Sequence, residues 1–252
     1  MPGGSRRALR TAEDLSDQLR GYWLNAVAAC ELRNFGYAIA LLENLLKQEP
    51  EFLTGRQMLR RAEVTRVKTE KKGFFNISTA PLAVMKAQRE LKKDPQKTIE
   101  LVEKVLETGP YNQQANMLLK DAAIAADYPE IAIFALETLL ENDPSDVKVL
   151  HELGRIYHRY EQSDKAVEVY NRIAEVDPLD LDAIKLGKDA SARHSMKKGG
   201  WTEAESYRDL IKDKEVAVSL EQQTRMQLTD DSLEQQINEV FAKHEAEPQN
   251  VD

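Results

Sequence analysis

The sequence predicts an all-α chain organised as an array of helix pairs, and three observations predict it. Ala, Leu, Glu, Lys and Gln dominate the 252 residues, while Gly (11), Pro (9) and aromatic residues (6%) are sparse. These are good helix formers, and the β-branched alternation of strands is hard to find. A short punctuation recurs, in which an acidic residue or Gly precedes Pro and two residues that open a helix. It reads Glu49-Pro50-Glu51-Phe52, Gly109-Pro110-Tyr111-Asn112, Asp143-Pro144-Ser145-Asp146, Asp177-Pro178-Leu179-Asp180 and Glu247-Pro248-Gln249-Asn250. Between these hinges apolar residues fall at i, i+3, i+4 and i+7, the period of one helix face.

The prolines set the period. Pro110, Pro144 and Pro178 stand 34 residues apart, and Pro248 follows 70 residues later, close to two periods. The interval from Pro50 to Pro110 is 60, eight short of two periods. Proline ends a helix because it lacks the N–H and clashes with the preceding turn. Two helices of roughly 12 to 15 residues, about 20 Å each, therefore fit between successive prolines.

Taken in order, residues 1–12 read as a disordered leader, since Arg6 and Arg7 have no apolar run of a secretory signal behind them. The array is expected over 13–214. Its first repeat, near 19–52, turns at Arg33-Asn34-Phe35-Gly36 into a helix carrying Ala38, Leu42 and Leu45. Residues 53–80 are irregular: 61–72 reads as a long charged helix end and 73–79 as an apolar connector, so a missing or remodelled half-repeat would account for the short interval. The repeat at 81–112 splits at Lys93-Asp94-Pro95, with Pro95 opening its second helix. In 113–146, Pro129 starts the second helix at a favoured first-turn position. The window 147–180 is the most regular. Leu150, Leu153, Gly154 and Tyr157 make one helix face, Ser163 or Asp164 caps the next helix, and Ala166, Val169, Tyr170, Ile173 and Ala174 make its apolar face. Residues 181–214 hold a long helix to about Lys197, then a turn at Gly199-Gly200-Trp201. Residues 215–252 predict a last helix pair, degenerate repeat or cap, at 215–228 and 232–245. The hinge at Pro248 points to continuation in a longer protein.

The residues of 147–180 carry a family resemblance. Leu153, Gly154, Tyr157, Ala166, Tyr170, Ala174 and Pro178 stand in the order of the tetratricopeptide repeat, with Leu150 in the family's first-helix Trp place. Neighbouring windows are more degenerate: in 113–146, Lys120 replaces the Gly and Ala123 the Tyr. The resemblance covers most of 15–214. It implies an α-α superhelix, a solenoid of tetratricopeptide-like helix-turn-helix repeats. Helix A of each pair lines a concave groove and helix B lies outside. It also implies a scaffold or adaptor of the bacterial type.

Composition narrows the function. The net charge is −8, from 35 basic and 43 acidic residues, which lacks the basic footprint of nucleic-acid binding. The single cysteine, Cys30, excludes an internal disulfide framework and a multi-cysteine metal site, and its Ala-rich surroundings suit a core-filling thiol. No apolar run reaches the roughly 18 residues of a membrane span. Asn76-Ile77-Ser78 matches a glycosylation sequon by chance. There is no Gly-rich phosphate loop, nucleophile elbow or Cys–His pair with catalytic spacing. His151 and His158 share a helix face about 10 Å apart, too far for one metal ion. Glu100, Glu103 and Glu107 read as the wet side of a helix. The expectation is a cytoplasmic, non-catalytic chain without cofactor or metal.

The remaining candidate site is the groove that the resemblance implies. Lys148, His151, Arg155, His158 and Arg159 would face it from one helix, and Lys185 and Arg193 from the next. Trp23 would face it from the first helix as an aromatic anchor. Such a basic strip in an acidic protein suits an acidic peptide. The Lys and Asn set by which some relatives grip a C-terminal carboxylate is not matched, because Trp23, Val27, Met117 and Asp121 occupy its places. Two functions follow: a scaffold holding a peptide or protein in its groove, or the docking region of a larger enzyme or membrane-associated assembly. Helical-repeat RNA binding is a third and weaker reading.

Overall fold

The computed structural model describes residues 10–69 and 80–198, and among these there are ten α-helices and no strand. They are α1 (Asp17–Glu31), α2 (Phe35–Gln48), α3 (Leu53–Thr69), α4 (Ala80–Glu90), α5 (Pro95–Leu106), α6 (Gln113–Ala125), α7 (Pro129–Asn142), α8 (Val147–Arg159), α9 (Ser163–Val176) and α10 (Leu181–Lys198). The chain divides into two compact units, Met1–Ala192 and Arg193–Asp252. Of the second, only 193–198 lie among the described residues. The leader through residue 9, the connector with its sequon, the turn at Trp201 and both helices expected beyond 214 lie outside them.

The proline hinges are capping devices. Their last residue caps the following helix: Asn112 accepts from the Ala115 N–H (2.9 Å), Asp146 from Val149 (3.1 Å) and Asp180 from Ala183 (2.8 Å). Their first residue closes the preceding one: the N–H groups of Glu49, Asp143 and Asp177 donate to the carbonyls of Leu45, Leu139 and Ile173. Both ends of the hinge thus satisfy backbone groups that a helix terminus leaves unpaired.

The turn inside each pair repeats as well. Arg33, Asp127 and Glu161 have left-handed φ of 59°, 64° and 59°. The next N–H in each case reaches back to the carbonyl five residues earlier, Asn34 to Ala29 (2.8 Å), Tyr128 to Ala123 (2.8 Å) and Gln162 to Tyr157 (2.9 Å). This Schellman closure is shared by α1/α2, α6/α7 and α8/α9. The α4/α5 turn differs, with the Asp94 N–H on Glu90 (2.8 Å) and the Asp94 side chain capping α5 ahead of Pro95. At α9 the N-cap position is Gln162, without a side-chain cap bond, so neither Ser163 nor Asp164 caps that helix.

Two apolar clusters form within the first unit. Leu19, Ala26, Leu42, Leu45, Phe52 and Leu59 fill the space between α1, α2 and α3. Ile99, Leu119, Leu136, Leu150, Tyr170 and Ile173 fill a longer core from α4 onward, which reaches Ala183 and Ala190 of α10. In the α8/α9 pair, Gly154 lies where a Cβ would stand 2.8 Å from Tyr170 Cζ. The two helices can therefore approach closely only because Gly has no side chain. Cys30 is half-buried at the edge of the first cluster, and burial pushes its thiol up from the ordinary value.

A polar joint links the clusters, and here the structure differs from the sequence reading. Arg56, Arg60 and Glu63 of α3 are buried, as is Glu103 of α5. Arg56 Nη1 donates to Glu103 Oε1, Arg60 Nη2 donates to Glu103 Oε2 (2.7 Å), and Arg60 Nη1 donates to Glu63. Arg66 extends the row, donating to the Glu107 carboxylate (3.1 Å) and carbonyl (3.0 Å). The charges of α3, and Glu103 on the supposedly wet face of α5, form a buried seam between helices far apart in the chain. The next link is Tyr128 Oη, which donates to Glu51 at 3.4 Å.

Candidate binding surface

The residues of the expected strip lie on α8, where His151, His158 and Arg155 each have an acidic partner. His151 Nε2 lies 2.6 Å from Asp180 Oδ2 and His158 Nε2 lies 2.8 Å from Asp189 Oδ2, so both imidazoles join α8 to α10 and the residue that caps it. Arg155 donates to Glu152 (2.9 Å) within α8. The same Glu152 accepts from Lys120 of α6 (2.6 Å), whose ammonium also meets Asp121 at 2.9 Å. The result is a ladder of alternating charge across α6, α8 and α10. Arg159 places its guanidinium 5.8 Å from the centre of the Tyr160 ring, while Lys148 and Lys185 are exposed.

The titration shifts follow these contacts. The Lys120 hydrogen bond holds the Glu152 carboxyl below the ordinary value against a smaller opposing effect of burial. Burial works against the Lys120 ammonium, yet bonds to Glu152 and Asp121 keep its proton above the usual lysine range. The Ala183 N–H, and then His151, hold Asp180 low.

Trp23 stands apart from this ladder. It is half-buried on α1 and meets Phe52 edge-on, with ring centres 5.0 Å apart, at the border of the first apolar cluster. The structure therefore brings Lys148, His151, Arg155, His158 and Arg159 together on α8, adds Lys185 on α10, and leaves Trp23 in the other cluster.

A second surface escaped the sequence reading. A cleft of about 340 Å³ lies between α4 and α6, lined by Pro81, Val84, Met85 and Gln88 on one wall and Gln114, Met117, Leu118 and Asp121 on the other. Beside it Leu82 is 67% and Met85 45% exposed, and Lys86 and Arg89 of α4 are exposed. Both walls show an i, i+3, i+4, i+7 spacing. That spacing was visible in the sequence, but it looked like any core face, and only the packing of α4 on α6 shows which side stays open.

The Glu63 carboxyl is strongly perturbed, its proton held up to about pH 8 by burial, against the pull of Arg60 and reinforced by Glu103, Glu107 and Glu43. For Glu103 burial acts in the same direction, but Arg60 and Arg56 overcome it and hold the carboxyl low. Perturbed titration marks functional sites only probabilistically. Here its cause is a helix–helix seam whose charges bond each other, which is a structural arrangement. Among the described residues no cluster of His, Cys, Asp or Glu could hold a metal ion, and no helix is long and apolar enough to cross a membrane.

A family model described as tetratricopeptide repeat matches residues 135–168, from within α7 through α8 into α9. Curated protein sequences give no match. Among solved structures, the first such repeat domain of Spaghetti (RPAP3), bound to the HSP90 peptide SRMEEVD, is 18% identical. It aligns over 49% of this chain and 99% of its own, with a TM-score of 0.42. A tetratricopeptide protein of Thermus thermophilus is 17% identical over 68% of this chain and 79% of its own (TM-score 0.35). MamA from Desulfovibrio magneticus RS-1 is 15% identical over 76% and 99% (TM-score 0.37). One tetratricopeptide repeat is thus matched in this chain, over the residues that include the Gly154 helix.

Proposed function

We propose that this chain is a non-catalytic scaffold or adaptor that holds a segment of a partner protein along α4, α6 and α8. The observation that carries this reading is the open cleft between α4 and α6. It offers Val84, Met85, Met117 and Leu118 as apolar contacts and Gln88, Gln114 and Asp121 as hydrogen-bonding groups. A recessed apolar site with a few polar groups is the usual form of a binding pocket. Exposed cations continue the surface, with Lys86 and Arg89 on α4, Lys148, Arg155 and Arg159 on α8, and Lys185 on α10. They suit a partner segment with acidic residues. His151 and His158 contribute through the Asp180 and Asp189 pairs that hold α10 in place. The expected setting is the cytoplasm.

The test is affinity capture with the full chain, comparing wild type with Met85→Glu, Met117→Glu and Arg155→Glu. Burying a charge in an apolar contact costs about 2 kcal/mol or more, so the two Met variants should weaken capture by roughly tenfold or more. Circular dichroism confirms that the variants fold. A partner set unchanged across all three variants would sink the reading.

A further inference from the structure

We propose that the exposed face of α1 is a self-association surface, on which a second copy of this chain packs antiparallel about a two-fold axis near Asn25. At 100° per residue, Asp17, Arg20, Gly21, Leu24, Ala28, Glu31 and Leu32 fall within an arc of about 120° on the helix. Leu24 is 60% and Leu32 81% exposed, and Ala28 between them belongs to the same row. A Cβ added at Gly21 would meet nothing within 4 Å. The opposite side of α1 is satisfied: Leu19, Ala26 and Ala29 are buried, and Trp23 meets Phe52. Single exposed leucines are ordinary. A Leu-Ala-Leu row at i, i+4 and i+8 is the ridge by which helices pack.

The charges around the row identify the occupant. Run antiparallel against itself, the face sets Arg20 opposite Glu31 of the second copy, and Asp17 opposite Arg33 in the turn after the helix. The same register places Leu24 against Ala28 and drops Leu32 over the gap left by Gly21. A two-fold axis makes each of these pairings occur twice. A parallel arrangement would set like against like. Asp17 is fully exposed and lies 3.9 Å from Arg20 Nη1 one turn along the same helix, a contact loose enough to be exchanged for one across the dimer. Arg20 is held at this end of the face by its own bonds to the carbonyls of Glu13 (2.8 Å) and Leu15 (3.2 Å), with 45% of its side chain exposed. One helix on one helix lies at the small end of specific interfaces, so the dimer is weak, with a Kd on the order of 10–100 µM.

Analytical ultracentrifugation of the full chain from about 1 µM to 1 mM spans that Kd, and the mass should rise from 28.6 kDa toward its double. Leu24→Glu and Leu32→Glu, both at exposed positions, should each weaken the dimer by about tenfold or more. Arg20→Glu and Glu31→Arg should each weaken self-association, because like charges then meet twice. Mixing those two variants should restore association, because opposite charges can then meet again, and this restoration also shows that both variants fold. A chain monomeric at the top of the range overturns the proposal. So does a dimer indifferent to Leu24→Glu and Leu32→Glu, and so does a mixture that associates no better than its components.

Discussion

At the scale of single residues, the tightest point is the crossing of α8 and α9. A methyl group on Gly154 would stand 2.8 Å from Tyr170 Cζ and 2.9 Å from Cε1. The ring has little room to withdraw, because Tyr170 is 1% exposed. Two effects compete in Gly154→Ala. Alanine gains about 1 kcal/mol of helix propensity, while overpacking a filled core costs about 1–3 kcal/mol. The crossing should win, for a net loss of up to about 2 kcal/mol in urea denaturation. In a Tyr170→Leu background the same change should become neutral or stabilising. A wild-type-like Gly154→Ala would show that the ring can move. This close approach was legible in the sequence, because Gly154 and Ala166 are small at facing positions. The left-handed turns were not. Arg33, Asp127 and Glu161 adopt a conformation that usually signals itself as Gly or Asn, so side-chain identity gave no cue and only the backbone bonds show that the three turns match.

At the scale of elements, the seam between α3 and α5 makes the pH dependence unusual. Glu63 keeps its proton to about pH 8 in the folded chain because burial disfavours the anion, against an ordinary value of 4.5. Its folded value is raised, so its stabilising contribution is complete below about pH 4.5 and is lost progressively as pH rises to about 8. Glu103 acts in the opposite sense. Arg60 and Arg56 overcome its burial, so its contribution is present above the ordinary value and fades as pH falls. Glu63→Gln isolates the first effect, because the amide keeps the shape and cannot ionise. The variant should gain on wild type between pH 5 and pH 9 and be the more stable protein at pH 9, as read from urea midpoints at the two pH values. A difference independent of pH would show that Glu63 ionises normally. Nothing in the local sequence announced this seam. Arg56, Arg60 and Glu63 look like a solvated helix face, and their partner Glu103 lies 43 residues beyond Arg60. Local periodicity cannot report such a pairing.

At the scale of the whole first unit, the proline period was readable because the hinges at Pro144 and Pro178 each close one helix and cap the next. The remodelled region was readable only as a gap in that period. How the apolar clusters on either side of it join could not be inferred, since the joint is made of ion pairs rather than a continuous core. Such a joint should govern cooperativity. Removing one member of a buried pair leaves its partner charged and unpaired, at a cost of about 3–5 kcal/mol. Arg60→Met removes the partner of Glu63 and leaves Glu103 on Arg56 alone, whereas α8 and α9 pack in the part of the second cluster away from α5. Native-state hydrogen exchange should therefore show protection in α1–α3 falling by most of that cost while α8 and α9 change little. If protection falls equally in both regions, the clusters unfold as one block and the joint is no boundary. If neither region changes, water or a neighbouring group has replaced the guanidinium. Between those outcomes, a selective loss in α1–α3 would establish that the ion-pair seam couples a three-helix N-terminal block to the repeats that follow.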